Sequence, residues 1–303
     1  MWSTTTSRFS RNDSATERRA PLHALHFGDR ATAASPVLLL HGQPGHASVW
    51  RQVGELLAAR GHYAVAVDRP GYGHTAGDAK GFAENADAVV EFLDHHGIER
   101  ATIVTHSWSS GIALALATVA PERIDGMVLL APVGAPESVT VLDHLLAIPV
   151  LGWGLLRGGL RLGAWALDRD RLRRFLPAGF GDLDPVEAKR MARSARSSGA
   201  RRSAAAEQRS LVSELAFVRE RAADIDTPTV IVSGLRDRIV PPVAARSLAD
   251  RIDGARVHMV DAGHLLPSEA PGAVAKAVEH VAGGFSGLRG PAPALSCSSS
   301  TGP

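Results

Sequence analysis

Cysteine is almost absent from this chain, and its absence excludes two kinds of structural support. The 303 residues include one cysteine, Cys297, in a Ser-rich tail. Neither a disulfide framework nor a cysteine-based metal site can therefore form within one chain. A large excess of charge is also missing, because 33 Lys and Arg residues face 31 Asp and Glu residues. A net charge of +2 is too small to indicate a nucleic-acid-binding surface, so no nucleic-acid partner is expected.

Long hydrophobic runs are missing as well. The longest apolar stretch, residues 145–156, is interrupted by Pro149, Gly152 and Gly154. It is shorter than the ~20 residues that a membrane-spanning helix needs. Residues 1–19 lack the apolar core of a secretory signal. We therefore expect a cytoplasmic protein without stable membrane insertion, with contact between residues 145–156 and a membrane surface left open.

The sequence has an ordinary globular composition, with 45% hydrophobic and 21% charged residues. Short β-branched runs alternate with amphipathic segments, a pattern typical of a parallel sheet flanked by helices. The alternation stops between residues 135 and 221, where the sequence predicts only helices. We therefore predict disordered tails at 1–20 and 285–303, an α/β core formed by 21–134 and 222–284, and a helical cap at 135–221.

Three turns place reactive side chains directly after predicted strands. They carry Ser107, Asp237 and His264, and ligands of open α/β sheets bind at the carboxyl ends of the strands. A serine hydroxyl becomes a good nucleophile when a neutral imidazole takes its proton, and a carboxylate fixes the tautomer of that imidazole. Taken singly, the serine is equally a helix N-cap, the aspartate a solvated loop residue and the histidine a structural one. Their chain order and positions together favour a catalytic triad.

A fourth turn, with the sequence HGQPG at residues 41–45, follows the first strand of the predicted core. Its glycines allow the backbone to turn toward the same edge of the sheet. The backbone N–H groups of Gln43 and Trp108 would then form an oxyanion hole, in which one donor contributes ~3 kcal/mol of transition-state stabilisation. The simpler alternative is an ordinary Pro-Gly turn. No metal site and no organic cofactor is predicted.

These elements resemble the α/β-hydrolase superfamily over roughly residues 36–283. Five motifs carry the resemblance, in the family's order: HGQPG at 41–45, DRPGYG at 68–73, HSWSSG at 106–111, GLRDRIVPP at 234–242 and GHLLPSEAP at 263–271. The resemblance implies the α/β-hydrolase fold, with a mostly parallel sheet flanked by helices and a helical cap inserted before the last two strands. It also implies Ser107 as nucleophile, Asp237 as acid, His264 as base, and Gln43 and Trp108 as oxyanion donors.

The identity of the residue at the nucleophile turn separates branches of this superfamily. Haloalkane dehalogenases and epoxide hydrolases place an aspartate where this chain has Ser107, so both activities are disfavoured. The turn usually reads Gly-x-Ser-x-Gly, whereas the outer positions here are Thr105 and Ser109. The chain thus resembles the serine-nucleophile branch, with esterases, lipases and prolyl aminopeptidases, and departs from its usual motif at two positions.

The expected activity is hydrolysis of a carboxylic ester of a small to medium apolar substrate through an acyl-enzyme. Alternatives on the same triad are a prolyl aminopeptidase-like activity, a perhydrolase and a carbon–carbon bond hydrolase. An acidic cap residue pointing into the pocket would favour the aminopeptidase. A ligand-binding protein that keeps the fold without turnover is the alternative of another class. The oligomeric state is left open.

Several segments near these motifs have simpler interpretations. The apolar residues 141–167 favour either an apolar lid or packing onto the core. The Arg-rich residues 189–202 favour a solvated face, with a membrane surface or an anionic substrate as the alternative. Asp68 is expected to brace the DRPGYG loop, and Glu269 to lie at the N-terminus of the last helix.

Overall fold

A seven-stranded sheet forms the centre of the molecule in the computed structural model, which describes residues 22–31, 35–173, 175, 176, 180 and 183–283. In chain order the strands are β1 (Ala24–Phe27), β2 (Val37–Leu40), β3 (Ala64–Val67), β4 (Ala101–His106), β5 (Ile124–Leu130), β6 (Thr229–Gly234) and β7 (Arg256–Val260). Across the sheet their order is β1-β3-β2-β4-β5-β6-β7. Only β1 pairs in the antiparallel sense. The predicted mostly parallel sheet is therefore confirmed, and the predicted tails lie outside the described residues.

Helices connect the strands. They are α1 (Arg51–Ala59), α2 (Phe82–His95), α3 (Ser110–Val119), α4 (Val141–Ala147), α5 (Pro149–Leu167), α6 (Asp170–Arg173), α7 (Pro185–Arg196), α8 (Ser198–Arg221), α9 (Pro242–Ala249), α10 (Leu266–Glu269) and α11 (Pro271–Ala282). Among the described residues, everything regular between β5 and β6 is helical. The α/β-hydrolase architecture expected from the sequence is therefore present, with the helical segment before the last two strands.

The apolar runs become central strands because helices cover both faces of the sheet. Leu38 and Leu40 of β2 point into one core with α2 and α3, whereas Val37 and Leu39 point into a second core with α1 and α11. All four side chains are buried, and burial of each is worth about 1.5–3 kcal/mol relative to exposure. Such two-sided burial explains why the strand sequences are continuous apolar runs rather than alternating ones.

The helices α4 and α5 are the exposed part of the fold. The C-terminal end of α5 packs through Ala164, Ala166 and Leu167, which are buried. Its N-terminal two thirds expose large apolar side chains, with Val150 86% and Trp153 43% exposed. Packing onto the core therefore accounts for only part of this apolar segment.

We find no single helix within the described ranges that is long and apolar enough to cross a membrane. Within the same ranges, helices α4 and α5 together have the length and apolar composition of a membrane span, but they are bent by 111° relative to each other.

Candidate active site

The backbone of Ser107 is bent sharply where β4 passes into α3. Its φ angle is +55°, a left-handed conformation that costs a residue with a side chain about 1–2 kcal/mol. A short 3-10 helix, Ser107–Ser109, leads directly into α3. The turn places the serine at the carboxyl end of a central strand, next to backbone N–H groups at a helix N-terminus, where negative charge is stabilised.

The two positions that depart from the usual motif are accommodated by hydrogen bonds. The Ser109 hydroxyl donates to the Leu40 carbonyl at 2.9 Å and accepts from the backbone N–H of His106 at 3.0 Å. The hydroxyl oxygen of Thr105 lies 3.2 Å from that of Ser110. Because Thr105 and Ser109 are fully buried, these bonds offset the cost of removing their hydroxyls from water.

Asp237 and His264 meet at the same edge of the sheet. The Nδ1 atom of His264 lies 2.7 Å from Oδ2 of Asp237. Oδ1 of the same carboxylate accepts the backbone N–H groups of Ile239 at 2.8 Å and Val240 at 3.0 Å. Both side chains are buried, so the carboxylate holds one ring nitrogen of His264 and leaves Nε2 for other chemistry.

Gly234 allows the loop of Asp237 to lie against the loop of His264. A Cβ atom at this position would lie 2.2 Å from the carbonyl oxygen of Gly263 and 2.5 Å from that of Ala262. No side chain fits there without moving one of the two loops. The glycine that ends β6 is thus a requirement for the contact between the aspartate and the histidine.

His106, the residue before Ser107, links the serine turn to the histidine loop. Its Nε2 atom donates to the carbonyl oxygen of His264 at 2.8 Å. Burial, with a further contribution from His264, lowers the pKa of His106 to about 3, so this ring stays neutral at ordinary pH. Within the described residues the Ser107 hydroxyl makes no hydrogen bond to His264, and His106 provides the polar link between the two segments.

Glu269 supports the loop of His264 from both sides. Its carboxylate accepts the backbone N–H of Gly263 at 2.7 Å and that of Leu265 at 2.8 Å. Glu269 lies just ahead of the last helix, which begins at Pro271, as the sequence predicts, but its carboxylate binds the preceding loop rather than the N-terminus of that helix. A glutamate five residues after a candidate histidine carries no sequence signal for this contact.

The HGQPG loop passes directly beside the serine turn. A Cβ atom on Gly42 would lie 3.2 Å from Cβ of Ser107 and 2.9 Å from Nδ1 of His106, so a side chain at this position would crowd the turn. The side chain of Gln43 donates to the carbonyl of Ala204 in α8. Gln43 and Trp108 therefore belong to the two segments that meet at Ser107.

A buried ion pair behind this loop was not predicted from the sequence. Arg69 pairs with Glu207 of α8, and its Nε atom donates to the His41 carbonyl at 2.9 Å. The Tyr72 hydroxyl donates to Glu207 at 2.7 Å, and the Trp108 indole N–H donates to the Glu207 carbonyl at 3.0 Å. All five residues are buried. This cluster attaches the helical segment to the HGQPG loop and to the serine turn.

The carboxylate of Glu207 is fully committed to this cluster. Burial raises the pKa of Glu207, and the guanidinium of Arg69 opposes that effect. The side chain of Glu207 is fully inaccessible to solvent. Its Oε1 atom accepts from Arg69 and its Oε2 atom accepts from Tyr72, so it is not available to bind a substrate ammonium group.

Asp68 braces the DRPGYG loop, as the sequence predicts. Its carboxylate accepts the backbone N–H of Ala47 at 2.6 Å and that of His74 at 2.9 Å. The ring of His23 lies 2.8 Å away. Side-chain atoms of His23, Asp68 and His74 that could bind a metal ion lie within 4.8 Å of one another. The hydrogen bonds from backbone N–H groups already account for the position of the Asp68 carboxylate.

The family model for the alpha/beta hydrolase fold matches residues 35–271. The chain belongs to this family. Haloalkane dehalogenase 2 of Mycobacterium tuberculosis is 26% identical to this α/β-hydrolase over 271 residues, covering 84% of this chain and 90% of the relative. Epoxide hydrolase B of the same species is 36% identical over 115 residues, covering 37% of this chain and 32% of the relative.

Solved structures share the fold of this α/β-hydrolase. The enol-lactonase from Burkholderia xenovorans LB400 superposes with a TM-score of 0.69 at 22% sequence identity. The superposition covers 86% of this chain and 96% of the lactonase. At this level of identity the likeness establishes the architecture, and the activity must be argued from the side chains at the site.

Replacing Glu269 by alanine is expected to lower kcat of this α/β-hydrolase by up to about 10²-fold, because a shifted loop would misplace the imidazole of His264, which the sequence predicts as the base. KM should change little, since Glu269 lies behind the loop. Glu269→Gln, which keeps one acceptor oxygen, should recover part of kcat. Steady-state kinetics of the two variants, with Ser268→Ala as the neighbouring control, measure the effect. Equal loss of kcat in Ser268→Ala would contradict it.

Proposed function

We propose that this α/β-hydrolase is a serine hydrolase that cleaves a carboxylic ester of a small to medium apolar substrate. One observation carries the proposal: Ser107 has a strained φ of +55° at the end of β4, on the edge of the sheet where His264 and Asp237 form a buried 2.7 Å contact. The family and its named hydrolytic relatives support hydrolysis as the general chemistry.

The proposed reaction begins when the Ser107 hydroxyl attacks the ester carbonyl and His264 Nε2 takes its proton. The carbonyl oxygen becomes an oxyanion, which the backbone N–H groups of Gln43 and Trp108 stabilise. The tetrahedral intermediate collapses, the carbon–oxygen bond to the alcohol breaks, and His264 gives its proton to the leaving alcohol. A water molecule, deprotonated by His264, then attacks the acyl-enzyme and releases the carboxylic acid and Ser107.

The role of Asp237 in this scheme is to stabilise the charged imidazole. Its Oδ2 atom faces Nδ1 of His264, and its Oδ1 atom is held by two backbone N–H groups. A carboxylate fixed in this way orients the ring with Nε2 directed away from it. Because the pair is buried, water does not screen the interaction that stabilises the imidazolium.

Two other activities receive less support from the residues. The resemblance implies an aspartate nucleophile for dehalogenases, where this chain has Ser107, so 26% identity with haloalkane dehalogenase 2 does not by itself support dehalogenation. An aminopeptidase needs a free carboxylate for the substrate ammonium, and Glu207 does not provide one, because it is occupied by Arg69 and Tyr72. Glu187 of α7, whose Oε1 atom is buried without a hydrogen-bond partner among the described residues, is a second acidic residue of the helical segment, so an amide substrate is the control that decides. Apolar substrates are favoured because Leu265, next to His264, packs against the apolar cluster of Ala164, Leu167 and Leu183.

A panel of p-nitrophenyl esters of increasing acyl length, with prolyl-p-nitroanilide as the amide control, tests the proposal. We expect turnover of short to medium esters and none of the amide. A fluorophosphonate probe should label the chain with a stoichiometry near one, and mass spectrometry should locate the label on Ser107. A folded protein that neither labels nor hydrolyses any ester would favour the ligand-binding alternative.

A general base must be neutral to accept the serine proton, so kcat/KM of the proposed enzyme is expected to fall when the solution becomes acidic enough to protonate that base. His106 does not produce this fall near neutral pH, since its lowered pKa of about 3 keeps it neutral there. The pH dependence of kcat/KM for a p-nitrophenyl ester, followed at a wavelength corrected for nitrophenol ionisation, checks this. A value of kcat/KM that does not fall at acidic pH, while the protein stays folded, would contradict general-base catalysis at this site.

A further inference from the structure

An apolar surface on α4 and α5 is left open to solvent. Six of its large side chains are between 43% and 86% exposed: Val150, Leu151, Trp153, Leu155, Leu162 and Trp165. A Cβ atom on Gly154, Gly158 or Gly159 would meet nothing within 4 Å, so neighbouring segments of the described chain do not cover this face. Contiguous apolar surface of this kind on a globular protein marks a site of interaction. We call these six residues of α5, together with the exposed Val141, Leu142 and Leu145 of α4, the cap face.

Positive charge is concentrated around the cap face. Residues 135–221 contain 15 Lys and Arg against 10 Asp and Glu, whereas the rest of the chain contains 18 against 21. The helical segment therefore carries the whole positive excess of the protein. The only charged residues of α5 are Arg157 and Arg161, and no carboxylate interrupts its apolar side chains.

Aromatic and cationic side chains are paired along this face. The guanidinium carbon of Arg157 lies 5.0 Å from the centre of the Trp153 ring, and that of Arg169 lies 4.3 Å from the centre of the Trp165 ring. Tryptophan and arginine both favour the region where lipid headgroups meet acyl chains, since each has an apolar body and a polar end.

Arginines also surround an open cavity of about 340 Å³ at the flank of the cap face. Arg161, Trp165, Arg196 and Arg201 line it. The pKa of Arg201 is lowered by burial and by repulsion from Arg161 and Arg157. An anion in this cavity would relieve that repulsion, so the cavity favours a negatively charged group such as a phosphate ester.

A second copy of this chain is a poorer occupant than a lipid surface. A two-fold contact through α5 would face the same patch on both copies. Because such a contact pairs α5 with α5, Arg157 and Arg161 would find no acidic partner on the facing helix. The acidic residues that flank α5 in the sequence are engaged, because Asp143 binds Thr140 and Gln208, and Asp168 binds Arg196. Anionic headgroups would satisfy the arginines while the acyl region accepts the apolar side chains.

We infer that the cap face docks this protein in the plane of an anionic phospholipid membrane, with its apolar side chains in the acyl boundary and its arginines on the phosphates. The bend of 111° between α4 and α5 suits two helices lying on a surface. Docking is a property of the helical segment and does not depend on the proposed ester hydrolysis.

Co-sedimentation of the full chain with vesicles tests the docking. We expect binding at low ionic strength to vesicles of equal parts phosphatidylcholine and phosphatidylglycerol, weak binding to phosphatidylcholine alone, and release by salt. The double variants Leu151→Gln/Leu155→Gln and Arg157→Glu/Arg161→Glu should each lower the partition coefficient at least about tenfold. The double variant Val243→Gln/Arg251→Glu makes one change of each kind at exposed positions outside this face and should bind like the parent.

Tryptophan fluorescence gives a second readout. Trp50 and Trp108 are fully buried, so in a Trp2→Phe background a blue shift and quenching by brominated lipid report Trp153 and Trp165. Unfolding midpoints of the variants show whether each is folded. No binding to anionic vesicles, binding unchanged in both cap-face variants, or a concentration-dependent dimer that Leu151→Gln/Leu155→Gln abolishes would each overturn the inference.

Discussion

Under the proposed function, substitution of Ser107 by alanine is expected to lower kcat for the best p-nitrophenyl ester by roughly 10⁴- to 10⁶-fold, as removal of the nucleophile does in serine hydrolases. KM should change little, because the lost hydroxyl acts on the transition state. The variant should also lose all labelling by the fluorophosphonate. Single-turnover assays at high enzyme concentration separate residual activity from a contaminating esterase.

Ser233→Ala is the matched control for this experiment. Ser233 is also a buried serine near the carboxyl end of a central strand, and its hydroxyl has no partner among the described residues. Its removal should leave kcat unchanged, and it should stabilise the fold slightly, since a buried unpaired hydroxyl is unfavourable. Parent-like turnover by Ser107→Ala would place the nucleophile elsewhere and refute the proposed function.

Removing one partner of the buried Arg69–Glu207 pair should have the largest effect on stability. We expect Glu207→Gln to lower the free energy of unfolding by about 3–5 kcal/mol, because a neutral amide leaves the Arg69 charge uncompensated in the interior. Equilibrium unfolding in urea measures the loss. The variant should also lower kcat, since Arg69 holds the carbonyl of His41 at the start of the HGQPG loop.

An exposed ion pair provides the comparison. Arg60 and Glu279 are 3.0 Å apart with partly exposed side chains, so Glu279→Gln should cost no more than about 1 kcal/mol. The double variant Arg69→Met/Glu207→Leu should be less destabilised than Glu207→Gln, because it removes both charges together. A loss within about 1 kcal/mol for Glu207→Gln would mean that the cluster does not anchor the helical segment.

Most of the sheet could be predicted from the sequence because its central strands are buried on both faces. Runs such as Val37–Leu40 are apolar at every position, and this pattern leaves little choice of secondary structure. The antiparallel edge strand Ala24–Phe27 was missed. Its side chains are half-buried or exposed, so it lacks the apolar pattern of a buried strand. Its strand conformation depends on hydrogen bonds to β3, a contact that the local sequence does not reveal.

The same contrast between local and distant information applies to the site. Ser107, Asp237 and His264 each follow a strand, and so the sequence alone was enough to nominate them. The Arg69–Glu207 pair joins residues 138 positions apart, and neither residue belongs to a pattern that indicates burial of a charge. Their contact depends on how the helical segment sits on the core, which only tertiary structure provides.

The left-handed backbone of Ser107 has a consequence for attempts to engineer this protein. Glycine adopts a φ of +55° without the cost that serine bears, so a search for thermal tolerance that ignores turnover would favour glycine at this position and discard the hydroxyl. Thermal stability and catalytic turnover therefore favour different residues at position 107. Directed evolution of this chain should therefore select on a chromogenic ester from the first round, so that variants stabilised by glycine at position 107 are eliminated.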